Sequence, residues 1–323
     1  MDKKNSIITA KDILILKQLL LDGRKSSSSI SKEIDLGREI VNYRIKRLIK
    51  ENLIVKFVPK INEKAINYQE YIILLKLNLE DELSKDQFIK QTIGNKYLVW
   101  TTKSEGGWDL VVRLYAQSID EFKEKLQEIL DLFSNVLANY YTIISSDEIK
   151  EEEKENVSKN LFDEITVSPT KDFQKIKESA PILLDTKDKE ILKILESDGR
   201  IQYKEIAEEL EISSDTVKYR IDKMVSQGAI ENFIPIINFN KLGLIHYAGI
   251  LTFDFLNHQE EEEVNRKIKE NPFVITAIKS LSKSEYFLTL LFEKEYQIEA
   301  FKEEIKNHFG SKVKTLECFS ISN

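Results

Sequence analysis

What most limits the folds open to this chain is that it repeats itself. A shift of 176 positions, with no gap, lays Lys11–Asp12 on Lys187–Asp188 and Asp22–Gly23–Arg24 on Asp198–Gly199–Arg200. The same shift lays Tyr43–Arg44–Ile45 on Tyr219–Arg220–Ile221, and Phe57, Pro59, Ile61 and Asn62 on Phe233, Pro235, Ile237 and Asn238. Between Lys11 and Asn62, 20 of 52 positions are identical. Identity at that level without a gap marks an internal duplication, so every element has to be read as one of a pair.

Within the repeated stretch, Ile13, Leu16, Leu19 and Leu20 follow helical spacing, and Thr9 with Asp12 forms a capping box that Asp185 and Asp188 reproduce. Gly23 and Gly199 are expected to end that helix. A short second helix carries Ile30 and Ile34 inward, with Ile206 and Leu210 as counterparts. The third buries Val41, Ile45 and Leu48, or Val217, Ile221 and Met224, and leaves a polar face. Two short helices, a tight turn and a third helix with a basic face make a helix-turn-helix, whose last helix enters the DNA major groove. Ile54 to Ile61, β-prone with one proline, is placed as a wing.

Charge separates the two copies. Residues 1–60 hold ten Lys and four Arg against seven acids, a net +7, whereas residues 185–240 hold six Lys and two Arg against twelve acids, a net -4. The whole chain is at -7, which argues against indiscriminate nucleic-acid binding but permits a local basic patch. Six of the eight Arg (Arg24, Arg38, Arg44, Arg47, Arg200 and Arg220) fall in these two segments. Arg suits phosphate and guanine contacts, so its concentration there favours double-stranded DNA over protein docking as the partner. One cysteine, Cys318, excludes an intrachain disulfide framework and, with no apolar run long enough for a membrane span, fits a cytoplasmic protein. No metal, phosphate-loop or nucleophile motif is present, and no cofactor is expected.

Behind each helix-turn-helix the pattern reads βαββαβ. In the first copy the strands are Gln69–Leu79, Tyr97–Thr102, Asp109–Tyr115 and Ala138–Ile144, with helices at Ser84–Ile93 and after Ser118. In the second they are Tyr247–Phe255, Phe273–Lys279, Tyr286–Phe292 and Val313–Ile321, with helices at Glu261–Lys269 and Ile298–Phe309. That order predicts a ferredoxin-like sandwich. Both faces of the strands are apolar while the helices cover only one, so the sheets are expected to self-associate, either within the chain as a pseudo-dimer or between chains. The expected α+β organisation is a winged helix-turn-helix at 1–62, a ferredoxin-like domain at 68–146, a charged linker at 147–184, a second winged helix-turn-helix at 185–240 and a second ferredoxin-like domain at 244–323.

A helix-turn-helix followed by a βαββαβ domain resembles the Lrp/AsnC (feast/famine) family of transcriptional regulators, here with the whole unit duplicated. The resemblance rests on the Asp-Gly-Arg after the first helix and on Val41–Leu48 and Val217–Met224. It implies RAM/AsnC-type effector domains, and DNA contacts from Arg38, Asn42, Tyr43, Arg44, Lys46 and Arg47 in the first copy. In the second copy the residues expected to contact DNA are Ser214, Thr216, Lys218, Tyr219, Arg220 and Lys223. It also implies an amino acid or similar small metabolite bound near Gly106, Gly107, Trp108 and Asp109, where a Gly-x-aromatic-Asp pattern recurs. The second copy has Ser282–Lys283–Ser284–Glu285 there and keeps only the acid. Siroheme decarboxylases resemble paired units of this kind, but catalysis on a polycarboxylate would call for His and Arg in concert. The chain offers only His246, His258 and His308, with Arg113 and Arg266 outside the helix-turn-helix segments. The other alternative is a protein-interaction module with residual DNA binding.

Overall fold

A computed structural model describes residues 8–79, 100–151 and 181–322. The expected helix Ser84–Ile93, the start of the strand placed at Tyr97–Thr102 and most of the linker lie outside those residues. The chain divides into two compact units, each holding the same part of both copies: Met1–Asn67 with Lys154–Gly243, and Tyr68–Glu153 with Leu244–Asn323.

In the first unit, α1 (Ala10–Leu21), α2 (Ser27–Glu33) and α3 (Arg38–Lys50) pack around Ile15, Leu19, Ile30, Val41, Ile45 and Leu48. The Thr9–Asp12 capping box forms, the Asp12 carboxylate taking the Thr9 amide at 2.8 Å. Strand β1 (Ile54–Ile61) follows. The second copy, further along the chain, repeats the plan as α5 (Thr186–Ser197), α6 (Tyr203–Leu210), α7 (Ser214–Gln227) and β6 (Ile230–Ile237). The third helices begin differently. Gly37 precedes α3 without a side-chain cap, while the Ser213 hydroxyl accepts the Thr216 amide and caps α7.

The strand expected as a wing does not fold back into a hairpin of its own copy. Instead β1 pairs antiparallel with β6, and the register reveals the symmetry. Phe57 faces Pro235 and Pro59 faces Phe233, Lys56 faces Ile236 and Lys60 faces Asn232, and Val58 faces its own counterpart Ile234. Under the shift of 176 each pairing maps onto another or onto itself, so a pseudo-two-fold axis passes through the Val58–Ile234 pair. Such an isologous pairing is the arrangement of a two-fold dimer, built here inside one chain.

Close backbone approach explains the paired glycines. Both first helices end one residue earlier, on extended Asp22 and Asp198, so neither glycine serves as a left-handed helix stop. Gly23 N–H donates to the Phe233 carbonyl at 2.6 Å, and Gly199 N–H to that of Phe57 at 2.7 Å. A Cβ at Gly23 would lie 2.8 Å from the Phe233 carbonyl oxygen, and one at Gly199 would lie 2.9 Å from the Phe57 carbonyl carbon.

The second unit holds both ferredoxin-like sheets. Its first half has β2 (Gln69–Leu77), β3 (Trp100–Glu105), β4 (Leu110–Ala116), α4 (Ile119–Phe133) and β5 (Leu137–Glu151). Its second half has β7 (Ile245–Phe253), α8 (His258–Glu270), β8 (Val274–Ser280), β9 (Glu285–Phe292), α9 (Tyr296–Phe309) and β10 (Val313–Ser322). Within each half the strand order is that of a ferredoxin-like sheet, and the halves join edge to edge, β5 to β8 and β10 to β3, into a closed eight-stranded barrel. Alternation along each strand then gives both apolar faces a use. Tyr71, Ile73 and Leu75 pack with Phe122, Ile129 and Phe133 of α4, while Ile72, Leu74, Val111 and Ile143 meet Ala248, Ile250, Ile278 and Phe287 inside the barrel. Strand β5 runs past the expected Ile144 to Glu151, because β8 of the other half supplies hydrogen-bonding partners to a sequence whose charges read as linker.

Candidate DNA-binding surface and effector site

Along α3, Arg38, Tyr43 and Lys46 are exposed and Asn42 is half-buried; along α7, Ser214, Lys218, Tyr219 and Lys223 are exposed and Thr216 is half-buried beside the Ser213 cap. Tyr43 and Tyr219 occupy equivalent positions and are each 67% exposed. An aromatic ring with no packing role, on the face opposite the helical core, is available to a groove.

Three of the arginines placed on DNA are turned inward. Arg44 donates to Asp12 Oδ1 at 2.9 Å and to the Thr9 hydroxyl at 2.9 Å, and Arg47 donates to Asp12 Oδ2 at 2.6 Å. Asp12 is fully buried. Burial alone would raise its carboxyl, but the Thr9 hydroxyl and amide, the Arg44 guanidinium and the Arg47 charge hold it below the ordinary carboxylate range. Arg220 repeats the arrangement with Asp185 and Asp188, each at 2.7 Å. These side chains clamp the third helix to the start of the first, so they orient the reading surface and are already engaged where a phosphate contact was expected.

Arg24 and Arg200 depart further from a DNA role. Arg24 donates to the Ile201 carbonyl at 2.9 Å and lies over the rings of Tyr203 and Phe233, at 4.8 and 5.0 Å. Its counterpart Arg200 donates to the Gly23 and Lys25 carbonyls and lies 4.5 Å from the Phe57 ring centre. Each therefore caps the other copy's backbone and stacks on its aromatics. Residue type alone could not separate these arginines from DNA-facing ones; the signal that could have is that Asp-Gly-Arg is intact in both copies although the charge around it has reversed.

In the second unit, Gly106–Gly107–Trp108–Asp109 forms the turn between β3 and β4, with Gly106 at φ +122°, a conformation that favours glycine. Asp109 is 5% exposed and turned into the sheet. Its carboxylate accepts the Leu77 amide at 2.8 Å and lies 3.4 Å from Lys76 Nζ, which also donates to the Gly106 carbonyl at 3.1 Å. Asp109 thus fastens the turn to β2 and is not open to a ligand, although the resemblance places it at the effector site. The acid at the turn's surface is Glu317 of β10, from the other copy, whose carboxylate lies where a side chain at Gly107 would go. Nothing in the sequence pointed to Glu317, because only barrel closure brings β10 beside β3. Trp108 Nε1 is buried without a hydrogen-bond partner among the described residues.

The equivalent turn of the second copy is filled by two of its own side chains and by Tyr141 of β5, from the first copy. Tyr141, the counterpart of Glu317, donates its hydroxyl to Glu285 at 2.6 Å. Lys283 donates to the same hydroxyl at 2.6 Å and sits 4.7 Å from the ring centre. Glu285 is 2% exposed.

The winged helix-turn-helix DNA-binding family model matches twice, at residues 8–55 and 184–231. An HTH-type transcriptional regulator of Pyrococcus furiosus is 32% identical over 120 residues, covering 33% of this chain and 80% of the relative. The HTH-type transcriptional regulator LrpA of Pyrococcus horikoshii is 37% identical over 94 residues, covering 28% of this chain and 64% of LrpA. The chain belongs to the Lrp/AsnC family of transcriptional regulators. It is a DNA-binding regulator in which two Lrp/AsnC units are joined in one polypeptide. Among solved structures, the siroheme decarboxylase NirDL superposes with a TM-score of 0.62 over 97% of this chain and 91% of that one, at 12% identity. At that identity the likeness shows the fold alone. No described helix is long and apolar enough to cross a membrane.

Proposed function

We propose that this regulator contacts DNA through Arg38, Asn42, Tyr43 and Lys46 of α3 and through Ser214, Lys218, Tyr219 and Lys223 of α7, under the control of a small amino-acid-like metabolite. The reading is supported above all by the contrast between the two β-turns of the barrel unit. One is walled by glycine, an unpartnered Trp108 N–H and the Glu317 carboxylate; the other is closed by Tyr141, Lys283 and Glu285. A ligand ammonium would sit against Glu317 and its carboxylate would take the Trp108 N–H, while Asp109 shapes the turn from behind. Arg44, Arg47 and Arg220 would act on DNA only by orienting the third helices.

Catalysis is no part of this reading. His246 is buried in β7, and His258 and His308 face Glu262 and Glu263 on the helical side of the second half, so the chain's imidazoles are committed to packing and surface pairs. Thermal-shift screening against amino acids tests the effector. A ligand that raises the melting temperature of wild type and of Asp109→Asn, but not of Glu317→Ala, supports the site. No stabilisation by any amino acid, or equal stabilisation of all three proteins, would remove it.

A further inference from the structure

The symmetric register of β1 on β6, together with the reciprocal Gly23–Phe233 and Gly199–Phe57 bonds, places α3 and α7 equivalently about the axis through Val58 and Ile234. Equivalent residues of the two helices therefore meet equivalent positions of the two half-sites. In a two-fold dimer those residues would be identical and the operator palindromic. Here they are not. Along the outward strip, one helical turn apart, α3 presents Arg38, Asn42, Lys46 and Lys50, whereas α7 presents Ser214, Lys218, Asp222 and Ser226. All but Asn42, which is half-buried, are exposed. The first strip carries three cations and the second one cation and one anion.

Chemistry at these positions distinguishes bases. An Asn carboxamide pairs bidentately with the N6 and N7 edge of adenine, and a Lys ammonium takes the O6 and N7 acceptors of guanine. Loss of Arg38 and the change of Lys46 to Asp222 also strip the second strip of charges that would face phosphate. We infer that the chain reads a non-palindromic operator, with one half-site held tightly by α3 through an adenine opposite Asn42 and the other held weakly by α7 through a guanine opposite Lys218. The two copies have kept the geometry of a dimer and divided its specificity.

Selection of bound duplexes from a random pool, with the full chain, tests this. Wild type should enrich paired half-sites that differ at the position facing residues 42 and 218, adenine in one and guanine in the other. Lys218→Asn should replace that guanine by adenine, and Asp222→Lys should tighten binding about tenfold while steepening the salt dependence by about one unit. Both side chains are exposed, so unchanged melting curves are expected for the variants. A palindrome from wild type, or a motif that Lys218→Asn leaves unaltered, overturns the inference while leaving DNA binding intact. Failure to enrich any sequence overturns specific DNA recognition itself, and the inference with it.

Discussion

The two copies meet twice in this molecule, and they meet in different ways. In the helix-turn-helix unit the contact is a two-stranded ribbon, β1 on β6, flanked by glycine amides that bond the Phe57 and Phe233 carbonyls near its centre and by arginine side chains that reach the other copy's carbonyls beside it. In the ferredoxin-like unit the sheets close a barrel through two edges, with an apolar interior between them. A closed barrel leaves no free strand edge and distributes its stability over a continuous core. The ribbon has two strands, held by backbone and arginine contacts and by Ile237 of β6, which packs into the first copy's helical core. The two joints should therefore respond to different perturbations.

The sharpest way to separate them is steric. Gly199→Val, or Gly23→Val, forces a side chain into the backbone of the facing strand and should cost on the order of 3 kcal/mol in the helix-turn-helix unit. Peptide-resolved hydrogen exchange would show β1 and β6 losing protection while the barrel strands keep theirs. An equal loss in both units would show that they are not separate joints.

Acid should act in the opposite sense. Burial pushes the His246 imidazole on β7 down to about 4, against an ordinary 6.5. Between those values the unfolded state binds the additional proton, so the barrel's stability is complete above pH 6.5 and falls as the pH drops towards 4, by up to about 3 kcal/mol. Exchange protection of the barrel strands, followed over that range, should fall in wild type and much less in His246→Leu.

Smaller effects sharpen the contrast. Arg200→Ala removes two hydrogen bonds to carbonyls and a ring contact across the ribbon, and should destabilise the helix-turn-helix pair by about 2 kcal/mol in denaturant titrations that follow that unit. Tyr141→Phe takes a hydroxyl from between Glu285 and Lys283 and should cost the barrel about 1 kcal/mol, read as a lower midpoint for that unit.

Much of this architecture is legible in the residues. The apolar spacing of α1 to α3, the capping boxes and the two-faced strands each follow from local chemistry that the chain states twice. Local chemistry does not reveal which copy supplies the partner. The strand Ile54–Ile61 reads as a wing because its composition is that of any edge strand, and the polar stretch after Ile144 reads as linker because its strand character exists only beside β8. The site residues divide on the same line. Exposed positions on α3 and α7 could be chosen from helical periodicity. Arg24, Arg44, Arg47 and Arg200 could not be assigned from type, since a guanidinium serves a carboxylate, a carbonyl or a phosphate equally well. Glu317 enters the candidate effector site from a strand more than half the chain away, where no spacing rule reaches.

The pairing of Val58 with Ile234 has a consequence for dosage. A regulator assembled from two separate polypeptides loses its paired form on dilution, with the population of pairs falling roughly as the square of the amount of chain when chains are scarce. Here both readers are present as soon as one polypeptide has folded, at an effective concentration set by their tether and not by the cell. Occupancy of its operator should therefore follow the number of molecules in simple proportion, even when only a few copies are made.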